Sequence, residues 1–227
     1  RKNLVNFIVA TTKPWNIKAF KKYSKQIHGK WYLITNNSDL KLNKIKVLEP
    51  RFIFFPHWSW IVPKDIIEYT ECVCFHASDL PYGKGGSPIQ NLIIRGIKKT
   101  KLSAIKMTEK LDSGPIYIKY SLNLHGKAQA IYSEMSHLTW KMIKKIVEKK
   151  IKPKSQIGKS IEFKRRKPKQ SEISSKVTID KLFDHIRMLD AETYPKAFLH
   201  YGNLRLEFHN AKLKSKVLEA KVKITKK

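Results

Sequence analysis

The chain has 227 residues, of which 41% are hydrophobic and 29% charged, and its formal net charge is +29. This length allows one well-buried core with a small addition, and no apolar run approaches the roughly 20 residues of a membrane span. A charged-then-apolar leader pattern at the start is missing as well, so we expect a cytoplasmic protein without a membrane partner. Cys72 and Cys74 are too close in sequence for a comfortable disulfide and too few for a metal site, so reduced thiols and no metal are expected.

Lysine carries most of the positive charge, since 40 of the 47 basic residues are Lys and they are spread along the chain. High positive charge is typical of nucleic-acid-binding proteins. Surfaces that read bases or clamp phosphates favour the planar fork of Arg, however. A diffuse lysine excess therefore fits a solvated surface at least as well, and it would also suit small polyanions such as a nucleotide sugar or a polyglutamylated folate.

The first two thirds of the chain alternate between short apolar runs and amphipathic stretches, a pattern that favours an α/β fold. Strands are predicted over residues 4–10, 31–35, 52–55, 71–75, 102–107 and 116–120. Helices are predicted over residues 15–27, from 63, over 88–96 and over 128–149. Short, continuously apolar strands between helices indicate a mostly parallel sheet that is covered on both faces. Functional residues in such sheets lie at the carboxyl ends of the strands.

The composition changes after residue 150. Residues 150–176 contain ten basic residues and few apolar ones, and we interpret them as a crossing segment. A helix is predicted from about Thr178, followed by two strands, AFLHY and LRLEFH, which the turn Gly202-Asn203 joins as a hairpin. The lysine-rich tail from Lys212 is either an edge strand or frayed.

An imidazole and a carboxylate are the strongest chemical candidates. His76 follows the apolar run ECVCF, and Asp112 follows the next predicted strand in the segment KLDSG. Near carboxyl strand ends, the two side chains would make an acid/base pair. Taken alone, His76 could be a structural histidine and Asp112 a turn residue ahead of Gly114. The position of His76 before a Pro/Gly loop favours the functional interpretation.

Neighbouring segments suggest a pocket. The glycine loop at residues 83–86 matches neither the dinucleotide fingerprint nor the P-loop spacing, so we interpret it as a flexible loop at a pocket mouth. The segment PHWSW contains Trp58 and Trp60, which either belong to the core or stack on a flat ligand. HEXXH, paired CXXC and GXSXG motifs are absent, which excludes the zinc and serine hydrolases that carry them.

Two stretches of the chain resemble the folate-dependent formyltransferase family. HASDLPYGKGGSPIQNLIIRG followed by MTEKLDSGPI is similar to the family's catalytic His, its LP-and-Gly loop, its helix-opening PI dipeptide and its D-[ST]-G segment. His76 and Asp112 match the last two catalytic positions. FKRRKPKQSEI followed by IRMLDAETYPKAFLHYGNLRLEF resembles pieces found downstream of the core in the nucleotide-sugar N-formyltransferases. Together the matches cover roughly residues 50–211.

The resemblance implies a fold and a division of the chain. We expect a Rossmann-like formyltransferase core with a mostly parallel sheet and a small C-terminal helix-hairpin extension. The catalytic domain would span residues 1–150, a crossing linker 151–177 and the small C-terminal subdomain 178–227. The exposed hairpin or edge strand could also pair two subunits as a homodimer.

The resemblance also implies roles. The formyl donor would be 10-formyltetrahydrofolate, no metal would take part, and a substrate amine would attack the formyl carbonyl. The Asp-paired His76 would handle the proton. Folate contacts are expected from Trp58, Trp60, Glu109, Lys110 and Leu111. Acceptor contacts are expected from Tyr82, Lys84, Gln90, Arg165 and Arg166, although a solvated basic segment is the alternative for the two arginines.

Cys74 departs from the family pattern, because it stands where the family has Asn, two residues before His76. A thiol is a weak hydrogen-bond donor and cannot replace an amide that stabilises an oxyanion. Losing one such donor typically lowers the rate about 100- to 1000-fold. His57 or Ser59 are candidate replacements, and we expect a modest effect from Cys74→Ala.

The accepting amine is the remaining question. The YPKAF piece favours an amino group on a nucleotide-linked deoxysugar, in polysaccharide biosynthesis. The first alternative is methionyl-tRNA, which would explain the positive charge, although fewer residues follow Thr178 than the usual tRNA-binding barrel domain needs. Further alternatives are hydrolysis of the formyl-folate and a catalytically degenerate member that only binds folate or RNA.

Overall fold

The computed structural model describes residues 4–226, which form eleven strands and six α-helices. The strands are β1 Asn6–Ala10, β2 Lys30–Ile34, β3 Phe52–Pro56, β4 Glu71–His76, β5 Tyr82–Gly85, β6 Lys99–Lys106, β7 Ile116–Asn123, β8 Ile161–Phe163, β9 Ala197–Tyr201, β10 Leu204–Lys214 and β11 Val217–Lys226. The helices are α1 Pro14–Tyr23, α2 Leu42–Leu48, α3 Lys64–Tyr69, α4 Pro88–Ile94, α5 Ala128–Lys149 and α6 Ile179–Arg187. The chain divides into two compact units.

The first unit comprises residues up to Lys84, Lys101–Leu122 and Ser133–Glu162. Its six-stranded sheet has the order β2-β1-β3-β4-β6-β7. Strands β2, β1, β3 and β4 are parallel, and β6 runs antiparallel to β4. The predicted Rossmann-like α/β core with a mostly parallel sheet is therefore confirmed.

The central strands of this sheet are apolar on both faces. Ile8, Ile53 and Val73, one from each of β1, β3 and β4, are fully buried, as expected when helices cover both sides of a parallel sheet. The two ionisable side chains of β4 other than its cysteines, Glu71 and His76, are its first and last residues. His76 therefore lies at the carboxyl end of the strand.

The second unit comprises Gly85–Thr100, Asn123–Tyr132 and the chain from Phe163 onward. Its three-stranded antiparallel sheet has the order β11-β10-β9. Helix α6 packs against β10, and its N-terminus is capped by Thr178, whose hydroxyl accepts a hydrogen bond from Lys181 N. The predicted helix and hairpin are confirmed, and the tail from Lys212 completes β10 and then forms the edge strand β11 rather than a frayed end.

Two short strands lie in segments that were predicted to have no regular structure. The glycine loop that we interpreted as flexible contains β5, and the crossing segment contains β8. A Cβ on Gly85 would lie 2.4 Å from Phe163 O, so only glycine permits this close approach. Glycine-rich strands are missed because their sequence lacks the β-branched residues that indicate a strand. The domain boundaries at 150 and 177 stay a proposal.

Candidate active site

His76 and Asp112 meet in the first unit, as predicted. His76 Nδ1 lies 3.6 Å from Asp112 Oδ2, and both side chains are 9% exposed. His76 Nε2 lies 2.7 Å from Gly83 O, and because a carbonyl oxygen can only accept, Nε2 donates this hydrogen bond. The imidazole is therefore held between a carbonyl and a carboxylate, an arrangement that can hold and transfer a proton.

The loop after β4 is fastened to the sheet by hydroxyl groups. Ser78 Oγ also donates to Gly83 O, at 3.1 Å, and Ser103 Oγ donates to Ser78 O at 2.7 Å. Ser103 is the residue of β6 that pairs with His76 in the sheet register. Ser78 and Ser103 were not predicted as site residues and Gly83 was expected only as part of a pocket-mouth loop, because these contacts depend on a strand pairing that no local motif indicates.

Asp112 lies in a tight turn that requires an unusual backbone. Its φ angle is +49°, in the left-handed region that residues other than glycine seldom adopt. A Cβ on Gly114 would lie 1.7 Å from Lys106 O, so the glycine of the DSG segment is required for the chain to pass β6. Gln156 Nε2 donates to Asp112 O at 2.8 Å and to Gly114 O at 2.9 Å. Gln156 was not predicted, because it lies in the segment interpreted as a linker.

Cys74 lies on the same face of β4 as His76, since the two residues alternate along the strand. Its neighbours in the register are Phe55 of β3 and Ile105 of β6. Burial, and secondarily the Asp112 carboxylate, raise the pKa of the Cys74 thiol above its usual range. The thiol therefore stays protonated at neutral pH and offers only a weak hydrogen-bond donor.

The residues proposed to contact folate lie on two neighbouring loops. The Trp58 and Trp60 rings are 5.1 Å apart, and Lys64 forms a 2.7 Å ion pair with Glu109 that joins the two loops. Among residues 4–226, Trp58 Nε1 is buried and has no hydrogen-bond partner, so it could donate to an oxygen or nitrogen of a bound molecule. Leu111 is 70% exposed, and Lys110 beside it is exposed as well.

The residues proposed to contact the acceptor lie in both units. In the first unit, Lys84 Nζ donates to Ser113 Oγ at 3.1 Å, next to Asp112, and Tyr82 is half-buried at the start of β5. In the second unit, Gln90 is buried, and its Nε2 donates to Tyr132 Oη and Met188 O. A substrate contact by Gln90 would therefore have to use its carbonyl oxygen.

The two arginines differ in their surroundings. Arg165 is exposed, and Gly86 leaves room for it, because a Cβ there would lie 2.5 Å from Arg165 Cα. Arg166 is half-buried, its backbone N–H donates to Ser87 Oγ, and burial lowers the pKa of its guanidinium from the usual value. Of the two, Arg165 has the guanidinium better placed for a phosphate, and both roles stay predictions.

The proposed substitutes for the family Asn lie after β3. His57 has a φ of +56° and lines a small cavity of about 10 Å³ together with Trp15, Asn16 and Phe75. Ser59 is half-buried in the following loop. In the described range 4–226, no group of three or more His, Cys, Asp or Glu side chains is placed to hold a metal ion. No helix in that range is long and apolar enough to cross a membrane.

Comparison with known proteins identifies the family. A family model described as formyl transferase matches residues 20–147. The chain belongs to the formyl transferase family. A second family model, described as the C-terminal domain of methionyl-tRNA formyltransferase, matches residues 168–225. The predicted formyltransferase family is thus confirmed, and the expected donor, 10-formyltetrahydrofolate, agrees with it.

Two similar proteins bear on the substrate. The solved methionyl-tRNA formyltransferase from Clostridium thermocellum is 48% identical, with 99% of this chain and 100% of that chain covered and a TM-score of 0.95. Methionyl-tRNA formyltransferase from Bacillus cytotoxicus is 31% identical over 156 residues, which are 65% of this chain and 50% of that protein. This formyl transferase chain spans about half the length of the curated relatives it matches.

The expected nucleotide-sugar substrate is wrong. A solved 4-N formyltransferase from Francisella tularensis is only 16% identical, with 87% of this chain and 93% of that chain covered and a TM-score of 0.67, so it shares the fold alone. The similarity to the Clostridium thermocellum and Bacillus cytotoxicus proteins is much higher. The YPKAF piece led to the wrong prediction because it lies in the connection from α6 to β9 and the start of β9. This segment is structural, so its sequence does not indicate which amine is bound.

Proposed function

We propose that this chain transfers a formyl group from 10-formyltetrahydrofolate to the amino group of methionyl-tRNA. The observation that carries the proposal is the 48% identity to the Clostridium thermocellum methionyl-tRNA formyltransferase over 99% of this chain. The His76–Asp112 pair supports the enzymatic interpretation over a degenerate binding protein, because both groups are buried and in contact. A cytoplasmic location and a possible homodimer remain expectations of this proposal.

The proposed chemistry is an acyl transfer. The neutral amine nitrogen attacks the formyl carbon, the new C–N bond forms, and negative charge collects on the formyl oxygen. Collapse of this intermediate breaks the bond between the formyl carbon and N10 of the folate, and one amine proton passes to N10. In this proposal His76 stabilises the oxyanion and relays the proton, and the Asp112 carboxylate stabilises the imidazolium that forms.

His76 must exchange its present partner to act in this way. Its Nε2–H is used by Gly83 O at 2.7 Å, so a bound formyl oxygen would compete with that carbonyl for the same proton. Ser78 Oγ also donates to Gly83 O, so the carbonyl would keep one partner after losing the imidazole. The exchange therefore leaves no buried carbonyl without a hydrogen bond, which keeps its cost low.

A lysine-rich surface in the second unit supports an RNA partner. The hairpin has four lysines on one face: Lys212 and Lys214 of β10 and Lys221 and Lys223 of β11. Lys212 pairs with Glu219, so these two side chains lie on the same face, and every second residue along each strand lies on that face as well. All four side chains are exposed, and we call this surface the lysine face. Successive lysines on one face of a strand are about 6.8 Å apart, a spacing that suits a phosphate backbone.

The test is an assay with defined acceptors. The protein is incubated with 10-formyltetrahydrofolate and either methionyl-tRNA, uncharged tRNA or a nucleotide-linked amino sugar, and formylmethionine released from the tRNA is measured by mass spectrometry. We expect formylation of methionyl-tRNA alone, and none with His76→Ala. Consumption of the donor without any formylated acceptor would contradict the proposal and favour hydrolysis.

A further inference from the structure

We propose that Gln156 is a positioning residue that holds Asp112 against His76. The inference rests on the proposed function, since it concerns the same site, but its decisive measurement does not need activity. Gln156 lies outside every segment that resembles the family's catalytic motifs. It nevertheless makes two hydrogen bonds to the turn that carries the candidate catalytic carboxylate.

The turn needs external support because its backbone is unusual. Asp112 has a φ of +49°, which is unfavourable for a residue with a Cβ. Within the turn, Ser113 N donates to Lys110 O at a long 3.3 Å. Gln156 Nε2 uses both of its hydrogens on the carbonyls of Asp112 and Gly114, and so bridges the two peptide groups that flank the Ser113–Gly114 peptide. Lys84 Nζ and Ser113 Oγ add side-chain hydrogen bonds at Ser113, but the Gln156 amide is the group that bonds the carbonyl of Asp112 itself.

Gln156 is itself anchored to the sheet. Two residues earlier, Lys154 exchanges two backbone hydrogen bonds with Ile116 at the start of β7, at 2.7 and 2.9 Å. A few residues later, Ile161 N donates to Pro81 O. The segment is therefore held on both sides of Gln156 by backbone bonds that do not involve the turn. Removing the amide would release the turn while leaving the segment in place.

The chemistry of the contact specifies an amide. Both acceptors are carbonyl oxygens, so the group opposite them must be a donor. Among residues 4–226, Gln156 Oε1 is buried and has no hydrogen-bond partner, which shows that the side chain is oriented by its donors and not by its acceptor. Gln156→Glu would keep the shape but place a carboxylate oxygen against two carbonyl oxygens, whereas Gln156→Leu would remove the bonds without adding charge.

The control is a glutamine that also donates a hydrogen bond to a backbone carbonyl but is distant from the turn in sequence and makes its bond elsewhere. Gln26 Nε2 donates to Lys22 O at 3.3 Å and is exposed, so Gln26→Leu removes one amide-to-carbonyl bond outside the site. We expect Gln156→Leu to lower kcat about 10- to 100-fold and to leave KM within about twofold, since displacement of a reacting group by about 1 Å has effects of this size. Gln26→Leu should leave both constants unchanged.

A double-mutant cycle with Asp112→Asn tests whether Gln156 acts through Asp112. In the Asp112→Asn background, Gln156→Leu should cause no further loss of kcat. A further tenfold loss there would overturn the proposal. Gln156→Glu should be at least as impaired as Gln156→Leu, and a fully active Gln156→Glu enzyme would also overturn it.

The activity-independent measurement is the pair of His76 imidazole nitrogen resonances in long-range 1H–15N spectra, assigned with His76→Gln. We expect Gln156→Leu to shift them in the same direction as Asp112→Asn, and Gln26→Leu to leave them unchanged. If Asp112→Asn shifts them and Gln156→Leu does not, Gln156 does not position Asp112. If neither variant shifts them, the contact between His76 and Asp112 is absent in solution and the proposal fails. If the two variants shift these resonances as expected but the wild-type protein formylates no acceptor, only the proposed function is contradicted.

Discussion

The edge of the parallel sheet around His76 and the antiparallel hairpin that carries the lysine face are built in opposite ways. The His76 and Asp112 side chains are each 9% exposed, with 3.6 Å between His76 Nδ1 and Asp112 Oδ2 and 2.7 Å between His76 Nε2 and Gly83 O. The four lysines of the lysine face are exposed, and no ion pair is recorded for them among residues 4–226. Function at the first region should therefore depend steeply on single atoms, and at the second on summed charge.

The largest expected effect concerns the buried region around His76. We expect His76→Ala to lower kcat about 1000-fold and Asp112→Asn about 100-fold, because each removes a group that is proposed to handle the transferred proton. Single-turnover formyl transfer to methionyl-tRNA measures the chemical step directly. Thermal unfolding of both variants serves as the control for folding. A His76→Ala enzyme with more than a tenth of wild-type kcat would remove His76 from the catalytic machinery.

A gain of function is expected at Cys74. Cys74 is half-buried and its thiol is a weak donor, so introducing an amide with Cys74→Asn should raise kcat up to about 100-fold, while Cys74→Ala should change kcat by about threefold at most. The measurement is the same single-turnover assay, made with both variants in parallel. If Cys74→Ala were as inactive as His76→Ala, the thiol itself would have a catalytic role. If Cys74→Asn were folded but no faster, another group already supplies the donor.

The sequence was most informative where chemistry and periodicity coincide. The buried strands β1, β3 and β4 and the contact between His76 and Asp112 could be predicted, because apolar runs specify a covered sheet and strand ends bring polar residues together. The supporting groups could not be predicted. Gly83 accepts a hydrogen bond through its backbone carbonyl, and Gln156 donates to a backbone carbonyl of a residue distant in sequence, and neither residue type signals such a contact in a sequence.

The substrate could not be predicted for a related reason. The fold is common to formyltransferases that act on different amines, so the residues that build it carry no information about the acceptor. The diffuse lysine content was interpreted as a solvated surface at least as readily as an RNA surface. Only the strand register places Lys212, Lys214, Lys221 and Lys223 on one face.

A smaller effect is expected from the lysine face. Neutralising three of its residues in Lys214→Gln/Lys221→Gln/Lys223→Gln should raise KM for methionyl-tRNA about tenfold without changing kcat. It should also lower the slope of log affinity against log salt by about three, since each phosphate contact contributes nearly one. The matched control is Lys141→Gln/Lys144→Gln/Lys149→Gln, which removes the same charge from exposed positions of α5. Equal salt slopes for the two triple variants would show that the positive charge acts diffusely.

The smallest expected effect is a pH dependence of stability that arises in the second unit. Burial, with a smaller contribution from the nearby Arg166 charge, lowers the pKa of His185 in α6, although its hydrogen bond to Ser171 O acts in the opposite direction. Because the folded pKa lies below the unfolded value of about 6.5, the unfolded chain binds the proton more readily, and stability falls as the pH drops below about 6.5.

His185→Gln keeps a donor for the Ser171 carbonyl but cannot be protonated. Between pH 7.5 and 5.5, we therefore expect the melting temperature of this variant to fall by about 2 °C less than that of the wild type. Activity at pH 7.5 should be unchanged, because His185 has no role in the proposed formyl transfer. If the melting temperatures of the two proteins fell equally over this pH range, the acid sensitivity would come from other groups.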